Sequence, residues 1–79
     1  MNADEVFSVR IKAIGLRIKE LRKSAGYTSY ETFAVKNDLD RKHYWRMENG
    51  QNISMKSLFK IIDIHQITIQ EFFDGLPLE

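Results

Sequence analysis

The sequence predicts an all-α fold of five helices in one unit, and three observations carry that expectation. The only proline, Pro77, stands near the C-terminal end, so nothing ahead of it forbids a helix. Apolar residues recur at steps of three and four through most of the chain, the period of a helix with one buried face. Ser, Thr or Asp stands just ahead of each such stripe, where a side-chain oxygen can accept from the free N–H groups of a first turn.

The first helix is read from Phe7, Ile11, Ile14, Ile18, Leu21 and Ala25, a continuous stripe that Val6, Ala13 and Leu16 widen. Asp4 or Ser8 is its expected cap. Gly26 ends it, with Lys23 in the last turn, where a cation suits the helix dipole. The run "TSYETFA" opens the second helix. Thr28 and Glu31 have capping-box spacing, Ser29 is an equally good cap, and Phe33 and Ala34 face inward. Asn37 and Asp38 tolerate a left-handed backbone, which places a tight turn there with Leu39 buried in it.

Asp40 then caps a third helix that runs to Asn49, with Gly50 just beyond it. Ser54 caps a fourth, whose expected inward face is Met55, Leu58, Phe59, Ile61 and Ile62. Thr68 and Glu71 form a further capping box and open a short fifth helix with Ile69, Phe72 and Phe73. The intervening "IHQIT" alternates like a strand but is too short for a sheet and has no partner.

Seventy-nine residues fit one small domain, near the size at which a single core is marginal. The absence of cysteine excludes disulfides and thiolate metal sites. No apolar run approaches the roughly 20 residues that cross a bilayer, and "MNADEVF" lacks the order of a signal peptide. The expectation is a cytoplasmic protein without a membrane partner. The net charge of +1 conceals an asymmetry: residues 8–46 hold ten Lys and Arg against four Asp and Glu, while the flanking segments are acidic. A segregated basic half suits a polyanionic partner.

The stretch "DRKHYWRMENG" concentrates that charge. On a helix starting after Asp40, Tyr44 and Met47 fall on one face and belong to the core. Arg41, Lys42, Trp45, Arg46 and Asn49 share the other side. A short helix, a tight turn and a second helix presenting cations outward is the arrangement that enters a DNA major groove. Arginine and lysine suit guanine O6 and N7, and neighbouring cations neutralise phosphates.

The segment from "LRIKELRKSAG" through "ENG" to "ITIQEFF" resembles the lambda-repressor/Cro-like helix-turn-helix family, the xenobiotic-response-element group of DNA-binding regulators. The matching features are Arg22 ahead of a glycine, Phe33-Ala34, Leu39 in the turn, Glu48-Asn49-Gly50 closing the third helix, and Leu58 in the fourth. The resemblance covers residues 14–74, about three-quarters of the chain, and implies a compact five-helix lambda-repressor-like DNA-binding domain. Residues 1–13 are then an N-terminal extension of helix 1, and residues 75–79 a C-terminal tail.

By the same resemblance, Arg41, Lys42, Trp45 and Arg46 stand where the family contacts base edges, and Ser29, Tyr30 and Asn49 where it contacts phosphates. Arg22 and Glu48 stand where a structural ion pair joins helix 1 to helix 3. The sequence departs from the family in three places. The loop before helix 2 is one residue longer, Asp38 replaces a common Gly, and Trp45 is large for a recognition helix. Trp45 either packs on a thymine methyl or sugar, or folds back over helix 2.

The resulting expectation is a transcriptional regulator of double-stranded DNA, acting as a repressor and a homodimer. The alternatives are a protein-interaction module on the same scaffold, or an antitoxin that represses its own operon and binds a toxin. The stripe from Phe7 to Ile14 is expected either to pack on helix 5 against Ile69, Phe72 and Phe73 or to join a dimer interface. His43 and His65 fall short of a zinc site, since neither cysteine nor an acidic cluster accompanies them. No phosphate-binding glycine loop or nucleophile turn marks an enzyme, and no cofactor or metal is expected.

Overall fold

The computed structural model describes residues 1–51 and 53–77. It contains α1 (Ala3–Ser24), α2 (Tyr30–Lys36), α3 (Arg41–Glu48), α4 (Met55–Ile64) and α5 (Ile69–Phe73), with no strand among the described residues. Gly75, Leu76 and Pro77 of the expected tail follow α5, while Leu78 and Glu79 lie outside the described residues.

Each helix starts where a side chain can replace the missing intrahelical acceptor. Ser29, Asp40 and Ser54 cap α2, α3 and α4 by accepting from Thr32 N, His43 N and Ser57 N. Thr68 and Glu71 close the expected capping box of α5. At α1 the cap is Asn2, in a reciprocal box with Glu5, instead of Asp4 or Ser8. A box satisfies two free N–H groups at once, which is more than either alternative offers. At α2 the choice between Thr28 and Ser29 falls to Ser29.

The turn between α2 and α3 rests on Asp38, at φ +57°, and Leu39 N donates across it to Ala34 O at 2.8 Å. The left-handed position is therefore met without glycine, by a residue type that tolerates it better than most. "IHQIT" is the exit of α4: Gln66 is also left-handed, which ends the helix and turns the chain towards α5.

The core draws on all five helices: Ile18; Phe33 and Ala34; Tyr44 and Met47; Leu58, Ile61 and Ile62; and Phe72. Burying side chains of this size contributes about 1.5–3 kcal/mol each. Phe33 is the hub. It meets Tyr27 edge-on at 5.2 Å, Tyr44 at 5.1 Å, and the flat face of the His65 ring at 5.3 Å.

The crossing of α1 over the C-terminal end of α3 needs two glycines. A Cβ on Gly15 would lie 2.7 Å from the carbonyl oxygens of Met47 and Glu48. A Cβ on Gly50, itself at φ +69°, would lie 2.8 Å from Lys12 Cα. Backbone therefore meets backbone, and α1 sits closer to α3 than any side chain between them would allow.

Several residues expected inside lie outside. Phe7 and Leu16 of α1 are both 58% exposed, Met55 and Phe59 of α4 are exposed, and so is Ile69 of α5. The stripe of α1 outruns the core that could cover it: Ile14 packs on the core, but Phe7 and Ile69 do not bury one another. The C-terminal half of α1 is tied down elsewhere, by Arg17 Nη2 donating to Asp74 O at 2.8 Å.

Candidate nucleic-acid interface

α2, the Asp38 turn and α3 form a helix-turn-helix unit, and its outward residues share one exposed surface. Arg41, Lys42, Trp45, Arg46 and Asn49 are all exposed, while Tyr44 and Met47 of the same helix are buried. The eight residues of α3 thus divide into an apolar face that anchors the helix and a cationic face open to solvent.

Arg41 Nη1 lies 3.6 Å from Glu31 Oε2 on α2, in a pair open to solvent on both sides. Such exposed pairs contribute about 0–1 kcal/mol, so a stronger acceptor can take Arg41 at little cost. Asn49 caps α3, with Nδ2 donating to Trp45 O at 2.8 Å. Trp45 is 42% exposed and leans into a hollow of about 230 Å³ that Leu16, Lys19 and Tyr30 also line. Its ring therefore borders the space between α1 and the start of α2 and stays partly open to solvent. The Ser29 hydroxyl accepts from Thr32 N at 3.3 Å, and half-buried Tyr30 follows it as the first residue of α2.

Behind this surface, Arg22 of α1 and Glu48 of α3 form a buried fork. Arg22 Nε donates to Glu48 Oε2 at 2.7 Å, and Nη2 donates to Oε1 at 3.1 Å. The remaining arm, Nη1, donates to Tyr27 O at 2.9 Å and holds the loop before α2. The hydrogen bond to Glu48 raises the Arg22 pKa further and keeps the guanidinium charged. The buried phenol of Tyr44 is pushed up as well, by burial first and then by the Glu48 carboxylate.

The chain aligns with the control protein C.MunI of Mycoplasma sp at 41% identity over 66 residues, covering 82% of this chain and 89% of that protein. The chain belongs to the control-protein family of DNA-binding regulators. Neither a family model nor a solved structure matches it.

Among control proteins, then, this one carries features that its linear pattern did not expose. Glu31, read only as part of a capping box, reaches across to Arg41. His43, considered as a metal ligand, instead joins α3 to α4 through a 2.8 Å hydrogen bond between Nε2 and Ser57 Oγ. Gly15 had no role assigned and lies at the α1–α3 crossing. A glycine inside an otherwise strong helical stripe was the one available signal, because it weakens the helix unless a close approach requires it. No described helix is long and apolar enough to cross a membrane.

Proposed function

We propose that this control protein is a sequence-specific regulator of double-stranded DNA that inserts α3 into the major groove. The observation that carries the reading is the divided face of α3, where buried Tyr44 and Met47 lie behind exposed Arg41, Lys42, Trp45 and Arg46. Those four residues contact base edges in this reading. Ser29, Tyr30 and Asn49 hold the phosphates on either side, and the Arg22–Glu48 fork keeps the helices in register.

The protein acts in the cytoplasm as a homodimer on two half-sites, as a repressor that occludes a promoter. Membership of the lambda-repressor/Cro-like group is part of this reading. Kinship with a control protein supports restriction–modification genes as the regulated set.

The test is duplex-DNA binding by fluorescence anisotropy across a salt series, beside the Arg41→Ala/Arg46→Ala variant. Strong salt-dependent binding by the wild type, with sequence discrimination lost in the variant, supports the reading. A folded wild type that binds no duplex at low salt overturns it and turns the search to a protein partner such as a toxin.

A further inference from the structure

The middle of α1 carries an exposed stripe whose placement the DNA-reading face does not explain. Lys12, Leu16 and Lys19 follow one another by four and three residues, so they lie on one side of the helix. All three are exposed. Two adjoining hollows run along this side. One, of about 220 Å³, lies between Lys12, Leu16 and Asn49, and the other holds Leu16, Lys19, Trp45 and Tyr30. Together they form a furrow between α1 and the C-terminal half of α3.

The furrow is placed rigidly. Gly15 and Gly50 let α1 lie on the end of α3 with backbone against backbone, and Lys12 Cα sits at that contact. Lys12 and Lys19 therefore hold fixed positions relative to Asn49 and Trp45, about 10 Å apart along α1. The acid at the floor, Glu48, is buried and joined to Arg22, so it does not cancel the rim cations. The charge of the rim matches a phosphate chain, and the furrow is continuous with the surface that α3 presents.

We infer that Lys12 and Lys19 are two further phosphate contacts, and that the furrow between α1 and α3 seats one strand of the DNA backbone beside the recognition helix. Leu16 supplies an apolar floor for deoxyribose between the two charges. The inference rests on the DNA-binding reading above. It gives this side of α1 a function of its own, a rail that fixes how deeply α3 enters the groove.

The test is the salt dependence of operator and random-duplex binding by full-length Lys12→Ala, Lys19→Ala, Lys12→Arg and the charge-matched Lys36→Ala. Removing one lysine–phosphate pair should lower the slope of log K against log salt by about 0.9. For each alanine in the furrow, the advantage of the wild type should then shrink about 3.5-fold between 0.05 and 0.2 M salt. The loss should be the same on operator and random DNA, Lys12→Arg should retain the wild-type slope, and Lys36→Ala should leave it unchanged. Unchanged slopes for Lys12→Ala and Lys19→Ala, in proteins that melt like the wild type and still bind DNA, overturn the rail alone. An equal loss from Lys36→Ala also overturns it, since general charge would then account for the effect. Absence of duplex binding by the wild type overturns the DNA reading together with it.

Discussion

Arg22 Nε lies 2.7 Å from Glu48 Oε2, and both side chains are 5% exposed. One residue belongs to α1 and the other to the last turn of α3, so a single buried fork ties α3 to α1. Removing one member strands the other. Glu48→Ala should destabilise the protein by about 3–5 kcal/mol, because the guanidinium remains buried without a counter-charge. At roughly 4–8 °C per kcal/mol for a domain of this size, the melting temperature should fall by well over 10 °C. Any protein that stays folded should keep its sequence preference. Thermal unfolding checks the first claim and competition binding the second.

Gly15→Ala separates helix propensity from packing. In an open helix the change would stabilise by up to about 1 kcal/mol. Here the new methyl would meet two carbonyl oxygens at 2.7 Å, and backbone cannot swing aside. Overpacking of this kind costs about 1–3 kcal/mol, so the net effect should be a lower unfolding midpoint in urea. A midpoint at or above that of the wild type would mean that α1 can lift from α3.

Glu31→Ala should strengthen DNA binding. The Glu31–Arg41 pair is exposed and contributes little to stability, so melting should change by less than about 1 kcal/mol. Loss of the acid frees Arg41 and removes a negative charge from the face proposed to meet DNA. The gain should be largest at low salt, where exposed charges are least screened. Tighter association of Glu31→Ala in an anisotropy titration at about 50 mM salt is the expected result, and weaker association would assign Glu31 a positioning role.

His65 should make stability depend on pH. Its ring lies flat on Phe33, and burial lowers its pKa below the ordinary 6.5. Well above pH 6.5 the ring is neutral both folded and unfolded, so it contributes no slope. Below that value the unfolded chain takes up the proton first, and stability falls until the folded pKa is passed. His65→Phe, which keeps an aromatic face against Phe33, should flatten that part of the urea midpoint against pH. An unchanged profile would assign the dependence to the carboxylates.

The local decisions of this fold are written in adjacent residues. Ser29, Asp40, Ser54 and Thr68 each accept a hydrogen bond from an N–H three residues on, so four helix starts follow from short-range chemistry alone. The left-handed turn at Asp38 and the split of α3 into an inward Tyr44–Met47 face and an outward cationic face follow equally from local geometry. What periodicity could not decide was how much of each stripe finds a partner. Phe7, Leu16, Met55, Phe59 and Ile69 have the spacing of core residues and remain exposed, because a short chain has too few elements to cover every side of its helices. The tertiary structure alone set the meeting of Gly15 with the end of α3, the reach of Glu31 to Arg41 and the furrow beside Asn49. Each depends on the distance between helices, which arises only when the chain has folded and side-chain volume decides how closely two backbones approach.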